Sequence, residues 1–262
     1  INGLTLGACG SDTEIDYVQV HKGSDDGVEI FGGAVNVKHL VISQGWDDSL
    51  DWDLGWTGKG QFIVIQQDPT QGNFAFESDS NGDTPNEAPI SNPELYNVTL
   101  IGSKKATSKS QAAMLLREGT GARMGNFILT GFSSYAIDVD GAESAARTES
   151  NELYLENSMF FQNGWDQAGA MIADGNVWPE VKTFDEKAFF SLPTYANTFD
   201  VDPALTDAFS LTAPDFAPTS GSPALSGGAT PPNDGFFDTS ATFRGAIGTD
   251  DWTAGWTAYP EK

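Results

Sequence analysis

Two aspartate pairs sit 22 residues apart, Asp25-Asp26 in "GSDDGVEIFGG" and Asp47-Asp48 in "GWDDSLDWDLG". Each is followed by carboxylates on alternate positions, Glu29 in the first stretch, Asp51 and Asp53 in the second. Carboxylates so arranged can do three kinds of chemistry. Clustered on rigid turns, they supply the six to eight oxygens that a Ca²⁺ ion takes. If one member keeps its proton, a pair can serve as the acid and base of a glycoside hydrolase, the roles then falling to Asp26, Asp48 and Asp51. Turn aspartates can also simply remain solvated and accept bonds from backbone amides.

A second oxygen-rich stretch, "ESDSNGDTPNE" (77–87), places Asp79, Asn81 and Asp83 at alternate positions, flanked by Glu77 and Glu87. This matches the first half of a calcium loop. Thr84 and Ile90 stand where an EF-hand carries its glycine and its last glutamate, so the stretch is a local oxygen cluster and no EF-hand. The expected metal ligands are therefore Glu77, Asp79, Asn81, Asp83 and Glu87, with Asp25, Asp47 and Asp48 as a second candidate set for Ca²⁺. "DVDGAE" (138–143) is a weaker acid cluster. Trp46 and Trp56 bracket the acid strand, where exposed indoles would stack on sugar rings; packing against loops is the competing expectation. His21 and His39 take no role, and no nucleophilic triad or phosphate-cradling loop is visible.

The elements that must position these residues follow from an internal repeat. "IDYVQVHKGSDDGVEIF" (15–31) and "VKHLVISQGWDDSLDWD" (37–53) align at an offset of 22, putting Val18 on Leu40, Val20 on Ile42, Val28 on Leu50 and Ile30 on Trp52. A third copy, "GQFIVIQQDPTQGNFAF" (60–76), is expected to place Phe62 on Leu40, Val64 on Ile42 and Phe74 on Trp52. Each copy alternates apolar and polar residues over two short strands separated by a polar turn. Such a period predicts a solenoid whose equivalent residues lie about 4.8 Å apart, with Val18, Leu40 and Phe62 in one inward column. Stacking then puts acid over acid: Asp25 near Asp47, Asp26 near Asp48, Glu29 near Asp51. Like charges about 5 Å apart cost on the order of 1 kcal/mol per pair even when screened, so something must offset them.

Looser copies continue at 95–102, 125–141 and 152–164, "SDSNGDTPNEAPISNP" (78–93) leaves the coil as a loop, and "FDEKAFFS" (184–191) is helical. The coils and the acidic turns resemble the right-handed parallel β-helix of pectate-lyase-like secreted proteins. "DPALTDAFSLTAPDFAPTSGSPALSGG" (202–228) is similar to the closing signature of many bacterial secreted β-helices, matching it at Asp202, Pro203, Phe209, Leu211, Ser222, Pro223, Ala224 and Gly227. The tail "FFDTSATFRGAIGTDDWTAGWTAY" (236–259) resembles the ending of secreted proteins from marine Gram-negative bacteria. The resemblance implies an all-β, single-stranded parallel β-helix over 1–199 and a C-terminal cap over 200–262, packed on the last coil of the same domain. The β-helix lyases that cleave uronates use Arg or Lys as base beside calcium, and no Lys or Arg lies between Lys38 and Lys59. The companion His and Arg-x-Lys motifs of polygalacturonase-type hydrolases are likewise missing.

Composition narrows the partners. The chain has 262 residues, 37 acids against 13 bases and a net charge of −24. Such a surface repels nucleic acid and anionic membranes, whose binding rests on Lys and Arg; it repels uronates too unless a cation intervenes. No apolar run is long enough to span a bilayer. The single cysteine, Cys9, forms no internal disulfide, and "LGAC" (6–9) reads better as the tail of a repeat than as a lipoprotein box. A first coil entered midway suggests a longer precursor and an edge able to template end-to-end self-association. The expectation is an extracellular or cell-surface, Ca²⁺-stabilised, non-catalytic β-helix, structural or adhesive, with polysaccharide or a cell-surface component as partner. The alternative is a polysaccharide-degrading enzyme working at the carboxylate-rich turns.

Overall fold

Short strands with one apolar face cannot bury that face alone, and stacking coil on coil solves the problem. The computed structural model describes residues 1–107, 109 and 112–261. Its chain winds alternately through two parallel sheets. The first joins Leu4–Gly7, Val28–Phe31, Leu50–Asp53, Phe74–Ser78, Ala112–Leu116 and Ile137–Val139, in that order. The second runs from Glu14–His21 through Asn36–Ser43, Lys59–Gln66, Glu94–Ile101 and Ala122–Thr130 to Met159–Phe161 and Thr198–Phe199, with Leu153–Glu156 also on Ala122–Thr130. Strands adjacent within a sheet are thus one coil apart in sequence, the topology of a parallel β-helix. Between the sheets lies one continuous apolar core, in which Val28, Ile30, Leu40, Leu50, Trp52, Ile63, Phe76 and Phe127 are all fully buried. A helix at Glu186–Phe190 falls where the 184–191 pattern predicts one, while a second at Ala142–Glu149 covers part of the "DVDGAE" cluster.

The first two coils stack at the expected offset: Val18 pairs with Leu40, Val20 with Ile42, Glu29 with Asp51 and Ile30 with Trp52. The third coil departs from it. Leu40 pairs with Ile63 and Ile42 with Ile65, so Phe62 and Val64 are not in the inward column. The stretch leading into Lys59–Gln66 carries one extra residue, and a one-residue slip exchanges inward and outward faces. The following turn adds three more, so that Leu50 pairs with Phe76 and Trp52 with Ser78 instead of Phe74.

Each long strand of the second sheet bends at one left-handed residue, Tyr17, His39, Phe62, Asn97 or Asn126, with φ between 47° and 65°. Asn is well suited to this conformation, because its short polar side chain bonds locally. Here Asn97 and Asn126 reach outward and hold the C-terminal segment. Asn97 Nδ2 donates to the carbonyls of Ala241 and Phe243 at 3.1 and 2.9 Å, and Asn126 Nδ2 to that of Ala229 at 2.9 Å.

Residues from about 203 onward do not close the last coil as a cap. They spread over the outer face of the second sheet, gripped by its outward amides. Gln66 donates to Ser210 O at 2.7 Å, Gln44 to Leu211 O at 2.7 Å and Gln19 to Ala258 O at 2.9 Å, while Gln61 accepts from Asp238 N at 2.7 Å. Outward Val41, Val64 and Ile101 pack beneath it against Phe216, Ala246 and Ile247. The physical reason is the sheet itself: its outer face is lined with apolar and amide side chains that water alone would not satisfy. An antiparallel hairpin, Leu205–Asp207 with Asp215–Pro218, and a short 3₁₀ turn at Pro223–Leu225 add regular structure to this segment.

Asn97 is fully buried and bonds two covering carbonyls. Asn97→Ala removes the donor of the Phe243 carbonyl, leaves the Ala241 carbonyl only its longer 3.4 Å bond from Asn126, and lowers stability by about 1–3 kcal/mol, the loss of a buried acceptor without its donor. Chemical denaturation measures this; a change within about 0.5 kcal/mol, as for an ordinary surface substitution, would show that the column does not hold the segment.

Candidate functional site

The outward face of the first sheet carries one column in register, Glu29 beside Asp51 and Asp51 beside Glu77, with Thr5 before and Leu115 after. Period two explains it: the neighbours of these residues, Val28, Ile30, Leu50, Trp52 and Phe76, point into the core. The preceding turns add a second tier. Asp26 Oδ1 accepts from Asp48 N at 3.1 Å, and Asp48 Oδ1 from Phe74 N at 2.6 Å, so each turn aspartate ties its coil to the next. Carboxylate oxygens of Asp26, Glu29 and Asp51 all lie within 4.8 Å of one another, as do those of Asp25, Asp26 and Asp47. Asp51 Oδ1 is sealed from solvent and has no hydrogen-bond partner among the described residues.

Burial, reinforced by mutual repulsion, shifts these groups strongly. Asp26 is pushed up to about 6, chiefly by burial, with Glu29 and Asp25 adding to it. Asp48 and Asp51 are each pushed up to about 9, first by burial and then by the charge of Glu77. Glu29 is raised by burial and lowered in part by a hydrogen bond from Asn2.

Besides the terminal ammonium of Ile1, 3.0 Å from Asp25, two side-chain cations border these acids among the described residues, and both come from far along the chain. Arg117 closes on Asp79 with Nε at 2.9 Å from Oδ1 and Nη2 at 3.0 Å from Oδ2, and also reaches Glu77 at 3.0 Å. Its hydrogen bonds with Asp79 hold the guanidinium more firmly protonated than usual, so it is no base. Lys109 reaches Asp47 at 2.7 Å. The interrupted period hides both partners in the sequence, since they lie 38 and 62 residues from their acids.

The residues expected to bind metal are therefore distributed as follows. Glu77 and Asp79 face Arg117, Asn81 accepts from the amides of Asp83 and Thr84 at 3.1 Å, and Glu87 accepts from the Thr84 hydroxyl at 2.7 Å. They form no shared carboxylate cluster among the described residues; the clusters combine Asp25 and Asp47 with Asp26, and Asp26 with Glu29 and Asp51. Asp48 is 4 % exposed and turned to the backbone of the next coil. Trp46 stands 49 % exposed beside this tier. Trp56 does not: its ring is fully buried, donates to Val35 O at 2.9 Å and lies 5.7 Å from Trp52, so it offers no face to a sugar. Gly58 admits it, since a Cβ there would sit 2.4 Å from the indole nitrogen.

A coiled stack of parallel strands of this kind is a parallel β-helix. The family profile "pectate-lyase like beta helix domain" matches residues 1–191, and the chain belongs to that family. No curated protein and no solved structure matches it.

Asp26, Asp48 and Asp51 hold their protons more tightly in the folded chain than in the unfolded one, where an aspartate titrates near 3.8. Their contribution to stability is thus complete below the unfolded value and is lost as pH rises through about 6 for Asp26 and about 9 for Asp48 and Asp51. In chelator-containing buffer the unfolding midpoint is expected to fall continuously from about pH 5 to about pH 9, and Asp51→Asn to flatten that slope. A slope unchanged in Asp51→Asn would assign the effect to the overall negative charge instead of to this column.

Proposed function

We propose that Asp26, Glu29 and Asp51 hold a Ca²⁺ ion that staples the first coils, and that the chain is a non-catalytic module engaging carbohydrate at the adjoining ridge of Trp46. Two observations carry this reading: carboxylate oxygens of Asp26, Glu29 and Asp51 lie within 4.8 Å of one another, and Asp51 Oδ1 is sealed without a hydrogen-bond partner among the described residues. Ligand oxygens on opposite sides of Ca²⁺ stand roughly 4.6–5.2 Å apart, so one ion spans such a cluster and water completes its shell. A buried carboxylate without a cation must instead take up a proton, which is the state the raised values describe. Three carboxylates at a partly open surface suit the weak sites of extracellular modules, with dissociation constants of roughly 10⁻⁴–10⁻³ M, and this favours a location outside the cell or on its surface. A neutral glycan tolerates the negative field around Trp46, and a uronate would need the cation as a bridge.

One observation favours the alternative. Asp26 near 6 and Asp48 and Asp51 near 9 are carboxyls whose environments separate their titrations, the condition for an acid and a base at neutral pH. Arg117 offers that alternative no help as a lyase base, being locked on Asp79.

Thermal unfolding in EDTA and then in excess Ca²⁺ tests the proposal. A ligand at a hundred times its dissociation constant adds about 2.7 kcal/mol, which moves the midpoint by several degrees. The rise is expected in the wild type and in Asp83→Ala, and to disappear in Asp51→Asn. No rise in the wild type sinks the calcium reading. Release of reducing ends from a neutral glycan by the wild type, abolished in Asp48→Asn, would establish the hydrolase in its place.

A further inference from the structure

The second sheet holds a separate cavity of about 410 Å³, in the size range of small-ligand sites. His39 and Phe62 line it from the sheet, Phe243 and Trp252 from the covering segment, and the exposed carboxylates of Asp238 and Asp250 border it. It shares no residue with the acid column and goes beyond the function proposed above.

The bend column supplies the first argument. Where later coils place Asn97 and Asn126, the early ones place Tyr17, His39 and Phe62, in the same left-handed conformation. For residues other than Gly and Asn that conformation costs about 1–2 kcal/mol, and strain of this kind accumulates where a site requires it. The exchange also removes the side-chain bonds that draw the covering segment down at Asn97 and Asn126, and the cavity opens at that position.

Ring geometry and charge then select the ligand. Tyr17, His39 and Phe62 stack almost flat, with centroids 4.3 and 5.1 Å apart, and Phe243 continues the stack at 6.4 Å from Phe62. Both faces of His39 are covered. An organic cation seeks ring faces, and both faces of His39 and of Phe62 are taken. Aromatic edges carry the positive end of the ring quadrupole and suit oxygen lone pairs. Anions are opposed by Asp238 and Asp250. Asp16 holds His39 Nδ1 at 2.7 Å, and Nε2 makes no hydrogen bond among the described residues. Asp238 uses one oxygen on Ser240 and keeps the other. A neutral polyhydroxyl compound satisfies all of these groups, donating hydroxyls to the carboxylates and presenting ring and hydroxyl oxygens to the ring edges and the imidazole. We infer that the cavity is a binding site for a neutral saccharide unit.

The test is titration calorimetry with an array of neutral tetrasaccharides (cello-, laminari-, xylo- and mannotetraose among them), with trigalacturonate and tetramethylammonium as competitors. At least one neutral tetrasaccharide is expected to bind saturably. Trp252→Ala and the isosteric, surface-exposed Asp250→Asn are each expected to weaken it about tenfold or more, the loss that follows removal of a charged hydrogen-bond partner. The isosteric, exposed Asp174→Asn, which belongs to neither site, leaves this binding unchanged, and neither competitor displaces the sugar. The assignment is overturned if no neutral saccharide binds, if Asp250→Asn binds as the wild type does, or if tetramethylammonium competes. Binding lost in Trp46→Ala and kept in Trp252→Ala would overturn this site while supporting the one on the first sheet.

Discussion

The rest of the structure depends on the spacing between hydrogen-bonded parallel strands, about 4.8 Å, which lays every residue beside its counterpart one coil away. A sequence that repeats an apolar residue gains a continuous core from this rule. A sequence that repeats an acid receives a column of acids. Both occur in the same strands here: Val28, Leu50 and Phe76 share an inward row while Glu29, Asp51 and Glu77 share an outward one. The acid column cannot relax by sliding one residue, because the slip would turn the core outward. Asp26 and Asp48 lessen the strain by each accepting an amide from the next coil, so that the turn aspartates join coils as well as repelling one another. Arg117 compensates one end of the column and Lys109 the turn tier. Asp51, between them, has neither.

The second sheet meets the same rule with different residues. Its outward positions include Gln, Asn and aliphatic side chains beside Lys38, Lys59 and Tyr96, and the C-terminal segment supplies backbone carbonyls to the amides and apolar rings to the aliphatics. Asn97 does two jobs through one conformational preference. It occupies the left-handed bend at little cost, and from there its amide points out to the covering segment. Where aromatics replace Asn, only the stacking is kept, and the cover stands off the sheet.

How much of this was legible in the sequence depended on coil length. For two coils of equal length, alignment at 22 residues delivers the register, the core faces and the acid column directly. One additional residue before Lys59–Gln66 is enough to put Phe62 outside the core and Ile63 within it, and nothing in the local pattern marks which of two adjacent apolar residues faces inward. Trp56 looks like a turn residue, and only the space left by Gly58 makes it a core residue. Arg117 and Lys109 are invisible as partners because insertions separate them from the acids they reach. The covering segment was legible as a closing element and illegible as to place. Its sequence has no strand periodicity, and what fixes it is the amide lining of a sheet far earlier in the chain.

The two sheets therefore hold the coils together by forces that respond differently to the solvent. Contacts on the first sheet pass through carboxylates, whose charge changes with pH and with available cations. Those on the second pass mainly through neutral amides and apolar packing, joined by ion pairs such as Lys59 with Asp234 and Arg123 with Glu94, and none of these rests on a metal that a chelator could remove. Since Asn36–Ser43 and Lys59–Gln66 belong to the same coils as Leu50–Asp53 and Phe74–Ser78, bracing one sheet restrains the other. On the proposed calcium reading, a column kept open to a cation is left incompletely neutralised, while amide bonds and apolar packing brace the opposite sheet.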